Sequence, residues 1–222
     1  MALLLCRVGV VAMLCIGCVA TVPRALAFSF SEEDAKANAD TDANAQKIQE
    51  LVSTPCQQRV KNRKIMTLIA EHTSDGWSTH QERYSPMFQA INSRLRALGL
   101  RTYTAEEIRA QIAQAEIDAY FKNDPDAALA ASRKLGANYI LRGNITTSTT
   151  VNPTVHINEV AVRLDFSLTT TGGQTLSDVS AHSESYAGAD TLGMAQTLVK
   201  EQADQLVAQL YNDYCRKAGN AN

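Results

Sequence analysis

Cysteine, histidine and aromatic residues are scarce in this chain of 222 residues, and each scarcity removes a class of chemistry. Only Cys56 and Cys215 follow the first 27 residues, and neither has a CxxC neighbour or a nearby histidine cluster. That pattern excludes zinc-finger and thiol-redox modules. The four histidines form no HExxH motif, and the chain has neither a GxSxG elbow nor a phosphate-cradling glycine loop. Aromatics are 6% of residues, and 21 Lys and Arg stand against 23 Asp and Glu. A general nucleic-acid binder needs a basic footprint to displace counterions, so that class is set aside. After Ala20 no apolar run approaches the roughly 20 residues of a membrane-spanning helix.

The apolar run that does exist lies at the start. Arg7 precedes an uninterrupted stretch from Val8 to Ala20, Pro23 breaks it, and Ala25-Leu26-Ala27 offers small residues where a signal peptidase reads them. At about 13 residues the run is too short to span a bilayer. It reads as a secretory signal over 1–27, with the mature chain starting at Phe28. A retained anchor is one alternative. Lipid attachment at Cys18 is another, since Cys15-Ile16-Gly17-Cys18 partly resembles a lipobox. Loss of 1–27 takes Arg7 and Arg24 and no acid, so 21 less two leaves 19 bases against 23 acids, a net charge of −4. In an oxidising compartment the remaining pair, Cys56 and Cys215, most simply forms one disulfide; two unpaired thiols are the alternative.

Residues 28–55 are rich in Ala, Asp, Glu, Asn and Lys and read as a polar linker or a loosely docked helix, with a helical turn or two over 46–52. A single domain then spans 56–219. Ile65 to Ala70 is a short apolar run bounded by charge, which reads as a buried strand. A polar loop follows from Glu71 to Arg83. Ser85-Pro86 starts a helix whose inner face carries Phe88, Ile91, Leu95 and Leu98, closed by Gly99. Thr104 to Glu107 is a capping box, with Ile108, Ile112 and Ala115 on that helix's inner face. Asp124-Pro125 opens another helix that Gly136 ends. Tyr139 to Ile145 reads as a strand. Val160, Val162, Leu164, Phe166 and Leu168 alternate with Ala161, Arg163, Asp165, Ser167 and Thr169, the period of a half-buried strand. A Thr-Gly turn returns the chain through Leu176 to Tyr186. A long helix from about Asp190 to Lys217 carries a stripe of Leu192, Ala195, Leu198, Val199, Ala203, Leu206, Leu210 and Tyr214. The expected class is α/β (α+β): one mixed sheet with helices packed on it and a long C-terminal helix.

Three stretches in succession carry a resemblance. They are Leu95-Arg96-Ala97-Leu98-Gly99-Leu100, then Gly136-Ala137-Asn138-Tyr139-Ile140-Leu141-Arg142-Gly143-Asn144-Ile145, and then Val160–Leu168 running into Thr171-Gly172. Over roughly residues 60–216 the chain resembles the anticodon-binding-like envelope domain of the CsgG, LpoB and TolB N-terminal group. That resemblance implies a non-enzymatic periplasmic module of envelope biogenesis or assembly that docks a protein partner. It implies no cofactor.

The surfaces expected to meet a partner are Trp77, in the 71–82 loop beside His80, the Thr146 to Thr154 segment, and the turn at Thr171 and Gly172. Tryptophan is enriched at interface hot spots. A small-ligand or peptidoglycan-associated binding protein is the second reading. A hydrolase or metal-dependent enzyme using Glu71, His72, Asp75, His80 and Glu82 is the third, although their spacing does not make ligands converge.

Overall fold

The computed structural model describes residues 30–73, 76–79, 85–122 and 124–220. The expectations for 1–27, including processing at Cys18 or Ala27, and those for Asp75, His80 and Glu82 lie outside these residues. The chain divides into two compact units, Met1–Asn38 and Ala39–Asn222. Helix α1 spans Phe30–Val52, longer than the turn or two expected over 46–52 in a segment read as a polar linker or a loosely docked helix. Its residues 35–47 are exposed, while Ile48, Leu51 and Val52 are half-buried.

The remaining elements are α2 (Gln58–Lys61), β1 (Lys64–Thr73), β2 (Gly76–Ser78), α3 (Pro86–Ala97), β3 (Arg101–Thr102), α4 (Ala105–Gln111), α5 (Gln114–Phe121), α6 (Pro125–Leu135), β4 (Tyr139–Val151), β5 (Asn158–Thr170), β6 (Thr175–Ala187) and α7 (Thr191–Lys217). Local chemistry sets most helix ends. The Ser85 hydroxyl accepts from the Phe88 N–H with Pro86 in the first turn, and Thr104 and Glu107 complete a reciprocal capping box. The Asp124 carboxylate accepts from the N–H groups of Asp126 and Ala127. Gly136 closes α6 in the left-handed region at φ +64°.

One expectation fails in this stretch. Ile108 and Ile112 do not share one helix, because Ile112 turns extended (φ −116°, ψ 128°) and separates α4 from α5. Both isoleucines are still buried. The chain keeps both apolar contacts by breaking the helix between them.

The sheet runs β2-β1-β4-β5-β6, with β3 paired to β1 off that path. β1 lies parallel to β4 and to β3, and the other pairings are antiparallel, so the sheet is mixed. Paired residues point to the same side. Tyr139, Leu141, Gly143 and Ile145 of β4 therefore share a face with Leu168, Phe166 and Leu164 of β5. Helix α7 covers this face over β5 and β6, with α3 packed against α7. The opposite face receives α5 and α6 near β4. Over β5 and β6 that face is polar, with Arg163, Asp178, Ser180, His182 and Glu184 exposed.

Gly143 sits where a Cβ would come within 2.2 Å of the Phe166 ring, so the β4–β5 crossing needs glycine there. Along α7 the expected stripe is buried from Ala195 to Tyr214. Leu192 is the exception at 61% exposure, since it lies in the first turn beyond the Asp190 cap. At the far end of α7 the Sγ atoms of Cys215 and Cys56 are bonded, with their Cα atoms 4.6 Å apart. Beside that bond, Tyr214 meets Tyr139 edge-on at 5.1 Å and donates to the Val60 carbonyl. Burial, reinforced by Tyr139, pushes the Tyr214 phenol far above its ordinary value, against the pull of Arg63.

Candidate functional site

Trp77 belongs to a strand, contrary to the polar loop expected of Glu71 to Arg83. β1 continues to Thr73, and Gly76 at φ +118° lets β2 fold back so that Trp77 pairs with His72. The two rings stack at 4.9 Å, 13° from parallel, and Trp77 is still 60% exposed. One side of the indole is thus held on the imidazole. The indole borders an open groove of about 500 Å³ with Thr79, Asp118, Phe121 and Lys122.

The groove's wall is fixed from behind. The Gln114 side-chain N–H₂ donates to Thr79 Oγ1 (3.1 Å) and to Asp118 Oδ1 (2.7 Å), and Thr79 donates to Asp118. The Arg142 guanidinium lies over the rings of Tyr120 and Phe121, at 5.2 and 5.4 Å. Burial raises the Tyr120 phenol above its ordinary value, and the nearby Arg142 charge offsets part of that rise.

The carboxylate and imidazole offered for catalysis are otherwise engaged. Glu71 accepts from the Ser85 hydroxyl at the start of α3, and His72 carries the Trp77 ring. Among the described residues no group of three His, Cys, Asp or Glu side chains converges as a metal site.

A second feature stands at the same end of the sheet. β4 and β5 continue past the end of β1, so that Val151 pairs with Asn158 where the 146–154 segment was expected to leave the strand. Their connection is held by its polar atoms. Asn152 Oδ1 accepts from the N–H groups of Thr154 (3.0 Å) and Val155 (3.2 Å), and the Asn152 N–H donates to the Ile157 carbonyl (2.9 Å). His156 takes φ +54° in that turn. The apolar side chains of Val155 and Ile157 consequently face solvent. Beside them Asn152 Nδ2 donates to the Tyr186 hydroxyl (3.3 Å), and Tyr186 is itself exposed near the end of β6.

The large exposed apolar side chains among the described residues are Trp77, Val151, Val155, Ile157, Tyr186 and Leu192. All lie toward the end of the sheet where β1 stops and α7 begins. Monomeric surfaces normally scatter such residues singly. Four of these residues sit in or beside the Thr/Ser-rich strand ends. Their only sequence signal was an isolated apolar residue in polar company.

Thr171 and Gly172 lie at the other end. Their turn is tied by the Thr171 N–H to the Asn138 carbonyl (3.3 Å), and it lines an open groove with Arg63, Asn138, Gln174 and Asn220. In the β1–β4 ladder the two ends are Ile65 against Tyr139 and His72 against Thr146. Seven residue steps along the strand separate them, roughly 23 Å. The structure therefore joins Trp77 with the 146–154 segment and does not join either with Thr171 and Gly172.

No family model and no curated protein matches the chain. Solved structures are similar to it in fold at low identity. The hypothetical protein CT253 from Chlamydia trachomatis is 10% identical with a TM-score of 0.48, covering 70% of this chain and 99% of that one. Lipoprotein GNA1162 from Neisseria meningitidis is 14% identical with a TM-score of 0.38, covering 63% of this chain and 96% of that one. The LpoB C-terminal domain from Salmonella enterica is 12% identical with a TM-score of 0.35, covering 61% of this chain and 94% of that one. At such values function has to be argued from this chain's own surface.

Proposed function

We propose that this protein is an exported, non-enzymatic module of the cell envelope that docks a protein partner through the apolar end of its sheet. The observation that carries this reading is that Trp77, Val151, Val155, Ile157, Tyr186 and Leu192 are all exposed and all fall at that end of the strands, spread from the β2 edge to the β6 edge. The Trp77 indole is already stacked on His72 on one side, which reduces the side-chain freedom a contact would cost. The signal-like first 27 residues and the Cys56–Cys215 disulfide agree with an oxidising compartment outside the cytoplasm.

The test is affinity capture from envelope extracts, comparing the unaltered protein with Trp77→Ala and Ile157→Ser. Each substituted side chain is largely outside the core, so the fold is expected to survive, and partner recovery is expected to fall about tenfold or more. Recovery unchanged by both variants overturns the docking surface. Cosedimentation with purified cell-wall sacculi in the absence of any protein partner would instead select the peptidoglycan-binding alternative.

A further inference from the structure

Strand β6 ends the sheet, and among the described residues no strand pairs with its outer side. It is 13 residues long, Thr175–Ala187, and contains no proline, lysine or arginine. Soluble proteins normally blunt a long edge with those residues, with bulges or with a covering element. Here the one irregularity is the register shift at Leu168/Thr169, opposite the start of β6, where Lys217 Nζ also donates to the Leu176 carbonyl (2.7 Å). The rest of the edge has no bulge, proline or lysine, and its charged side chains are Asp178, His182 and Glu184 on the face away from α7.

A groove of about 410 Å³ runs beside this edge, between β6 and α7. Val179, Ala181 and Leu206 supply its apolar lining, and Gln202, Gln205 and Gln209 stand along its helix side. Those glutamines recur at i, i+3 and i+7, one face of α7. An amide both donates and accepts, so a row of glutamines can satisfy an identical row facing it. The same holds for the serine hydroxyls at 180, 183 and 185 of β6, whereas Ser177 is buried and donates to Asp213 (2.7 Å).

We propose that β6 pairs antiparallel with β6 of a second copy of this chain, about a two-fold axis through Ser183. Charge matching selects the axis. With Ser183 on it, His182 of each copy lies opposite Glu184 of the other, and the imidazole N–H donates to the carboxylate twice. Within one copy the two side chains already approach each other at 3.7 Å and stay well exposed, at 60% and 62%, so pairing exchanges a contact in one chain for two between chains. Shifting the axis to His182 sets imidazole against imidazole, and shifting it to Ala181 sets Asp178 against Glu184, a like-charge pair. The Ser183 register pairs Val179 with Ala187 and Ala181 with Ser185, small side chains that let the two α7 glutamine rows approach. Such an interface is isologous and closes on itself, so it gives a dimer and no fibre.

The test uses the protein with its native disulfide intact. Sedimentation is expected to show a reversible dimer. Ser183→Cys is expected to yield a reducible covalent dimer, because the axis places that position against itself; Ser180→Cys, opposite Tyr186 of the other copy, is expected to yield none. His182→Glu is expected to weaken dimerisation about tenfold, and adding Glu184→Lys to restore it by exchanging the charges. A protein that stays monomeric at every accessible concentration overturns the proposal, as does a dimer indifferent to both charge reversal and Ser183→Cys. Binding of a foreign extended peptide along β6 by a monomer also overturns it. Trp77→Ala should leave the dimer intact, which tells this surface from the proposed partner site although Tyr186 borders both.

Discussion

Tyr214 illustrates how much one side chain settles at the closed end of the molecule. Its ring packs edge-on against Tyr139, and its hydroxyl donates to Val60, a carbonyl that also accepts from the Arg63 N–H at 3.0 Å. Tyr214→Phe therefore leaves no acceptor wholly unpaired and is expected to cost only about 1 kcal/mol in urea unfolding at neutral pH. Its larger effect lies in alkali. The folded phenol holds its proton far above the ordinary 10.0, mainly because burial disfavours the anion. The unfolded chain releases that proton near 10.0, so the contribution is complete below that pH and is lost as pH climbs beyond it. Melts of Tyr214→Phe should lose less stability than the parent above pH 10.0; equal losses would show that Tyr214 does not control the alkaline limit.

Pairs of elements, more than single residues, decide where the sheet can close. At the β4–β5 crossing the Phe166 ring occupies the space a Cβ on Gly143 would need. Gly143→Ala is expected to cost about 1–3 kcal/mol, and combining it with Phe166→Leu to recover part of that loss, read from urea midpoints. The two strands were legible separately, Phe166 from its clean alternation and Gly143 within the run Tyr139 to Ile145, but their meeting is known only from the register. The caps at Ser85, Thr104 and Asp124 were equally legible, being local chemistry. What escaped depends on distant neighbours. Gly76-Trp77-Ser78 is too short and polar to announce a strand, and it becomes one only against β1. The Thr/Ser run of β4 lacks apolar alternation because β1 no longer flanks it there. Leu192 fits the helical stripe by spacing, but the sheet beneath has already ended. The candidate site suffered most, since only the ladder register reveals that Trp77 and Thr171 stand at opposite ends.

Across the whole molecule one covalent bond joins residues 159 apart, linking the approach to β1 with the last turn of α7. Cross-linking so large a loop removes denatured-state entropy worth up to ~5 kcal/mol in the chain-entropy model. Replacing both cysteines, Cys56→Ser with Cys215→Ser, is expected to lower stability by about 2–5 kcal/mol in denaturant titrations, with the same effect from reductant on the parent protein. Indifference to reductant would mean the packing of α7 on the sheet suffices alone. The placement of this bond also orders events in time. Were the chain exported N-terminus first, as proposed above, Cys56 would emerge long before Cys215, with β1, β4, β5 and β6 between them. The staple would then close only after the whole domain had emerged, as a latch on a finished molecule. A stalled or truncated chain would carry an unquenched Cys56, open to oxidoreductases and to mixed disulfides, so the same bond that stabilises the product marks the incomplete one.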